Sequence, residues 1–149
     1  MLRHFSNMKK ILIINGPNIN MLGLREPAIY GSQNYNDLIE KIKKEAQNLS
    51  VEVDFFQSNI EGEIVGAVQS TLGKYDGIII NPAAYTHTSV AIHDALASVP
   101  VPAVEVHISN IHKREEYRHT SLTVSACIGQ ICGLGFDSYT LALRKLCTL

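Results

Sequence analysis

The chain has 149 residues, 46% of them hydrophobic and 18% charged, with thirteen Lys and Arg against fourteen Asp and Glu for a net charge of −1. Those figures describe one globular domain over residues 1–149, of a size at which folding buries roughly 68–70% of the unfolded surface. They exclude a disordered chain, a coiled coil and a collagen-like repeat, and they call for neither nucleic acid nor an anionic membrane as partner. Three cysteines with no C-x-x-C pair argue against a disulfide scaffold and fit a reducing cytoplasm. No stretch approaches the ~20 apolar residues of a membrane span. Residues 1–7, MLRHFSN, lack the apolar run of a secretory signal. They read as a loose tail ahead of a second start at Met8.

Four apolar runs predict strands at 9–15, 51–57, 77–81 and 103–107, and a fifth is expected within 123–133. The first and third are rich in β-branched residues and do not alternate, as strands buried on both faces do. Residues 37–49 predict a helix, with Leu38, Ile39, Ile42, Ala46 and Leu49 on one stripe and Glu40, Lys41, Lys43 and Lys44 mostly opposite. Ser58 and Glu61 suggest a capping box, and Gly73 a stop, for a helix over 61–72. Two further helices are expected over 88–98 and 136–147. Alternating strands and helices imply an α/β domain with helices on both faces of a parallel sheet. Five strands fit the flavodoxin-like order 2-1-3-4-5.

Residues 16–34 break the alternation: nineteen residues with three glycines, two prolines and no period. Loops of that length in compact domains are usually functional. This one follows the first strand, so it lies over the carboxyl edge of the sheet, where doubly wound folds bind ligands. The loops expected at that edge carry Asn18, Arg25 and Tyr30, then Thr86, His87, Thr88 and Ser89, then Ser109, His112, Arg114 and Arg118. Taken singly, each has an ordinary reading: a Gly-Pro turn, a solvated Arg25-Glu26 pair, a loop-anchoring tyrosine, a helix cap at 86–89, an exposed helical turn at 113–118. Glu105 and His107 share one face of a strand near its carboxyl end. That pair leans toward function, because a carboxylate can orient an imidazole as acid or base.

Several chemistries are absent as motifs. The sequence has no G-x-x-x-x-G-K-[ST] loop, no G-x-G-x-x-G after the first strand and no G-x-S-x-G. His107, His112 and His119 lack the spacing of a zinc site, so no metal is expected. No lysine falls in the expected pocket, which disfavours Schiff-base chemistry.

Four separated blocks occur in order from about residue 8 to residue 147: I-N-G-P-N-x-N-x-L-G-x-R-E-P-x-x-Y-G, I-I-N-P-A-A-Y-T-H-T-S-V-A, E-V-H-I-S-N-x-x-x-R-E-E-Y-R and G-x-G-x-x-x-Y-x-L-A-L. Together they closely resemble the type II 3-dehydroquinate dehydratases. The resemblance implies a flavodoxin-like enzyme that converts 3-dehydroquinate to 3-dehydroshikimate, in the shikimate or quinate pathway, with no metal and no cofactor. It implies trimers, four of them forming a homododecamer. By matching motif, Tyr30 would be the base that removes a C2 proton and Arg25 its activator. His107 would protonate the departing C1 hydroxyl, with Glu105 orienting it. Asn18 would stabilise the enolate through a water. Asn81, His87 and Arg118 would hold ring hydroxyls. The Ile108–Ser109 backbone and the Ser109 hydroxyl would take the carboxylate. Arg114 would support Tyr30, and Asp94 would reach a neighbouring subunit's site.

A tyrosine base needs help. Its reference pKa is about 10, and working near pH 7 requires about 4 kcal/mol of stabilisation of the phenolate. A cation at about 4 Å supplies on the order of 4 kcal/mol at an effective dielectric of 20, while burial opposes it. One arginine is marginal and two suffice; Arg25 and Arg114 are the two on offer. Two other classes compete: a non-enzymatic ligand domain on the same scaffold, and a flavin electron carrier. The carrier needs a phosphate-binding Ser/Thr loop after the first strand, where this chain has Gly16-Pro17-Asn18.

Overall fold

The computed structural model describes residues 8–24, 26–30 and 32–149, with Tyr30 described in its backbone alone. The expected tail at 1–7 lies outside the described residues. Five strands, β1 (Lys10–Asn15), β2 (Glu52–Gln57), β3 (Gly77–Asn81), β4 (Ala103–His107) and β5 (Gly129–Cys132), form one parallel sheet in the order β2-β1-β3-β4-β5. This is the flavodoxin-like arrangement expected from the sequence.

The two faces of the sheet follow from the twofold period of a strand. Ile11, Ile13, Ile79, Val104 and Val106 pack with Leu38, Ile42 and Ala46 of helix α2 (Tyr35–Leu49) and with Tyr139, Ala142, Leu143 and Leu146 of α5 (Asp137–Cys147). Leu12, Ile14, Ile78 and Ile80 pack instead with Ile64, Ala67 and Val68 of α3 (Glu61–Gln69) and with Ile92, Ala95 and Leu96 of α4 (Val90–Ser98). Each fully buried aliphatic side chain contributes roughly 1.5–3 kcal/mol. A strand covered on both sides is therefore apolar over most of its length, as the Ile78–Ile80 run of β3 is, and its buried polar positions fall toward the carboxyl end.

The helix ends correct several expectations. The helix expected from 37 begins at Tyr35, because Asn34 and Asp37 form a capping box: the Asn34 side chain accepts the Asp37 N–H at 2.9 Å and Asp37 accepts the Asn34 N–H at 2.8 Å. The box expected at Ser58 and Glu61 does not form. Ser58 Oγ instead accepts the Ile60 N–H at 2.9 Å and donates to Glu63 at 3.2 Å. α3 stops at Gln69 rather than at 72; the Ser70 and Thr71 hydroxyls each take a carbonyl of its last turn, at 2.6 Å. Gly73, with φ +73°, sits in the turn that follows. α4 starts at Val90, capped by Ser89, whose Oγ accepts the Ile92 N–H at 2.9 Å. The helical turn expected at 113–118 is two 3₁₀ turns, Ile111–Lys113 and Glu116–Arg118. The segment expected to have no period holds a 3₁₀ turn, Ile19–Met21, and a one-turn helix α1 (Pro27–Tyr30).

At the switch point the chain leaving β1 crosses that leaving β3 in direct contact. The Gly16 N–H donates to the Asn81 carbonyl at 2.8 Å. A Cβ on Gly16 would lie 2.5 Å from the Pro82 carbonyl oxygen and 2.8 Å from its carbon, both backbone atoms that cannot step aside. Gly16→Ala is expected to lower stability by about 1–3 kcal/mol, the usual cost of overpacking. Gly62→Ala, where nothing lies within 4 Å, is expected to be neutral or slightly stabilising, since alanine favours a helix. Urea denaturation of both variants checks this, and equal midpoints would show that the crossing yields.

Candidate active site

β1, β3 and β4 end at Asn15, Asn81 and His107, and a cleft opens above them. Asn18, Asn81, His87, His107, Ser109, Arg114 and Arg118 line it, with Pro17, Ile19, Ala83, Ala84 and Ile111 as apolar wall. Seven of the residues singled out from the sequence therefore converge. Ile108 is buried and lines the adjoining groove beside Ala28 and Ile29. Asp94 stands apart on α4: its side chain is 71% exposed and bonds to its neighbour His93 at 3.0 Å. Arg25 and the Tyr30 side chain lie outside the described residues; the Tyr30 backbone closes α1.

The turn that carries Asn18 is pinned from below. Asn18 adopts φ 70°, a left-handed conformation that asparagine tolerates better than most residues. Its N–H donates to Asn59 Oδ1 at 3.0 Å, and Gln57 Nε2 donates to the Gly16 carbonyl at 3.2 Å. Tyr85 then fastens Asn59, its hydroxyl donating to the Asn59 carbonyl at 2.8 Å.

Behind His107 lies a fully buried carboxylate. Glu105, 0% exposed, accepts from His107 Nε2 at 3.0 Å, Ser121 Oγ at 2.9 Å, Gln130 Nε2 at 2.6 Å and the Thr123 hydroxyl. The sheet register explains Gln130: it lies beside Glu105 on the next strand. Ser121 Oγ also accepts the Val124 N–H at 3.0 Å, which leaves its proton for the carboxylate. Burial pushes the Glu105 carboxyl up. The hydrogen bonds from His107, Thr123 and Gln130 and the His107 charge outweigh that and hold it below its ordinary range. An ionised Glu105 in turn occupies His107 Nε2 and leaves Nδ1 as the ring atom free to address the cleft. Two thiols share this neighbourhood. Burial, with the Glu105 charge adding to it, pushes Cys127 up to about 12 and Cys132 up to about 11.

The other cleft groups are also set. His87 Nδ1 lies 2.8 Å from the Thr120 carbonyl, which can only accept, so Nδ1 carries the proton. Burial lowers the His87 pKa, and the His107 and Arg118 charges add to that, against the Thr120 bond. The ring is neutral with Nε2 as an acceptor. Glu115 lies 2.8 Å from Arg118 Nε and 3.8 Å from Arg114 Nε, while Arg114 Nη2 lies 3.4 Å from Glu26. The cleft thus offers two cations, an imidazole with a carboxylate behind it, a hydroxyl and two amides, which suits an anionic, hydroxylated small molecule. Among the described residues no three His, Cys, Asp or Glu side chains converge as a metal site needs, and no helix is long and apolar enough to cross a membrane. Sequence reading missed the hydrogen-bonding roles of Ser121, Thr123, Gln130, Asn59 and Tyr139; Tyr139 carried a signal as the tyrosine of the last motif block, and Gln130 as a polar residue within the expected fifth strand.

Comparison with known proteins agrees with this geometry. The family model described as dehydroquinase class II matches residues 9–147. A 3-dehydroquinate dehydratase of Clostridium acetobutylicum is 58% identical over 137 residues, 92% of this chain and 95% of that protein. One of Endomicrobium trichonymphae is 58% identical over 142 residues, 95% of this chain and 99% of that protein. The crystal structure of a type II dehydroquinase from Butyrivibrio crossotus superposes with a TM-score of 0.92 at 50% identity, covering 93% of this chain and 97% of that one. With a family model spanning nearly all of its length and relatives above half identity, the chain belongs to the class II dehydroquinase family.

Proposed function

We propose that this chain is a hydro-lyase that converts 3-dehydroquinate to 3-dehydroshikimate by anti elimination through an enolate, with residues 1–149 acting as one catalytic domain. The observation that carries the reading is the His107–Glu105 pair at the floor of a cleft lined by two arginines. The proton at C2 lies next to a ketone, so its removal gives an enolate. Tyr30 as phenolate takes that proton, made basic by Arg25 with Arg114 assisting. Asn18 steadies the enolate through a water. The C1–oxygen bond then breaks, His107 supplies a proton to the departing hydroxyl, and water leaves. The cycle closes when Tyr30 loses its proton and His107 regains one from solvent. Acid and base suffice, so no metal or cofactor takes part.

Binding follows from the polarity of each group. The Ile108–Ser109 backbone and the Ser109 hydroxyl receive the substrate carboxylate. His87 accepts from one ring hydroxyl, Asn81 donates to one and Arg118 holds a third position. Asp94, exposed on α4 and not among the residues that line this cleft, completes the site of a neighbouring subunit in trimers that build a homododecamer. The enzyme works in the cytoplasm, in aromatic biosynthesis or quinate breakdown.

The product is a conjugated enone, so ultraviolet absorbance should rise when 3-dehydroquinate is added to the purified chain. His107→Ala should fold normally and lose about 10²–10⁴-fold in kcat, the usual worth of general acid catalysis. A silent wild type, or a folded His107→Ala with full turnover, would sink the assignment.

The base is tested by charge. Arg25→Gln keeps length and hydrogen bonding but removes the cation, so its residual kcat should climb with pH as the phenol returns toward about 10. If Arg25 only clamps substrate, KM rises and the acidic limb of the profile stays where it was. Profiles of kcat against pH for wild type and variant decide.

Glu105 gives a stability test. Its folded pKa lies below the ordinary 4.5, so the stability it confers is present above about pH 4.5 and is lost as pH falls through the folded value. The gap in urea midpoint between wild type and Glu105→Gln should therefore be widest near pH 7 and narrow toward pH 3. A gap of constant size would mean that the carboxylate is not ionised in the folded protein.

A further inference from the structure

Asn81 ends β3 and lines the cleft, yet most of its hydrogen-bonding capacity is spent inward. β1 and β3 pair with Asn15 opposite Asn81, and both side chains sit on the face covered by α5. Tyr139, in the first turn of α5 and 0% exposed, lies against the two of them. Its hydroxyl donates to Asn15 Oδ1 at 2.6 Å and accepts from Asn81 Nδ2 at 2.9 Å. Asn81 Oδ1 accepts the Ala83 N–H at 3.1 Å.

Those contacts fix the Asn81 amide at both ends. Ala83 takes the oxygen. The single Tyr139 proton is committed to Asn15 Oδ1, so toward Asn81 the phenol can only accept, and it demands the nitrogen. A planar amide held at oxygen and nitrogen cannot rotate or flip. One N–H of Asn81 is left over, and its direction is set by the buried Tyr139 hydroxyl and the Ala83 backbone N–H. A ligand hydroxyl there meets a donor rather than an acceptor.

We propose that Tyr139 is a positioning residue for substrate recognition: its buried hydroxyl, shared between Asn15 and Asn81, aims the remaining Asn81 N–H at a ring hydroxyl of the substrate. This rests on the reading of Asn81 given under the proposed function. The amide, aimed in advance, discriminates for a hydroxyl at that ring position without any direct contact from α5. Specificity then depends on a residue in the core, one hydrogen bond behind the surface that touches substrate.

Tyr139→Phe keeps the ring and removes one oxygen. It should raise KM about 3- to 10-fold, the worth of one hydrogen bond, with kcat within about threefold because the acid on β4 is untouched. A merely structural role makes a different prediction in a double-mutant cycle. If Tyr139 acts through Asn81, Tyr139→Phe in an Asn81→Ala background should change KM less than about twofold. The same KM increase in both backgrounds, or no increase in the single variant while Asn81→Ala raises KM, would overturn the inference alone. An Asn81→Ala variant with unchanged KM would remove Asn81 from the binding site and overturn this inference together with that part of the proposed function. Should Tyr139→Phe fail to fold, Asn15→Ala makes the same test: it frees the phenol proton to turn toward Asn81 and should raise KM in the same range, and an unchanged KM would overturn the proposal.

Discussion

A carboxylate that water does not reach has to find every hydrogen bond inside the protein, and the C-terminal third of this chain is arranged around that requirement. Burial alone would drive Glu105 to its neutral form. The strand register brings Gln130 beside it, the irregular stretch after the 3₁₀ turns brings Ser121 and Thr123, and His107 closes the shell from the cleft side. Take away the shell and Glu105 would protonate, leaving the imidazole without a counter-charge. The stretch from Ser121 to Gln130 therefore helps keep Glu105 ionised without lining the cleft.

The same logic explains why so little of the cleft wall rotates. His87 is tied to a carbonyl, the Asn18 turn to Asn59 and Gln57, Arg118 to Glu115, and Asn81 to Ala83 and Tyr139. Of the partners in these ties, Thr120, Asn59, Gln57, Glu115 and Tyr139 do not line the cavity, and Ala83 does. A wall whose polar atoms are fixed before the ligand arrives loses little entropy on binding and offers each donor and acceptor in one direction only.

Strand order, both helical layers and the carboxyl-edge location were legible because apolar runs and loop composition encode them locally. The seven residues that meet in the cleft were legible for a related reason: they sit at strand ends and in the loops just beyond, so the topology gathers them. Helix boundaries were less so, since Asn34 and Ser58 look alike as caps until the backbone decides which one turns into a helix. The hydrogen bonds of Tyr139 and Thr123 were not legible, although Tyr139 stands in the last of the four motif blocks and Thr123 opens the stretch expected to hold the fifth strand. A buried tyrosine in an apolar stripe reads as packing, and a threonine at the edge of an expected strand reads as part of that strand. Their roles depend on which distant polar group the fold sets against them.

The two thiols next to the buried carboxylate have a chemical consequence. With values pushed to about 12 for Cys127 and about 11 for Cys132, the reactive thiolate form at pH 7 is roughly one part in ten thousand or less. Alkylating electrophiles and peroxides react with thiolate, so these cysteines are poor targets although they lie close enough to Glu105 to feel its charge. Cysteine-directed electrophiles and oxidants are therefore expected to react here more slowly than with thiols of ordinary acidity.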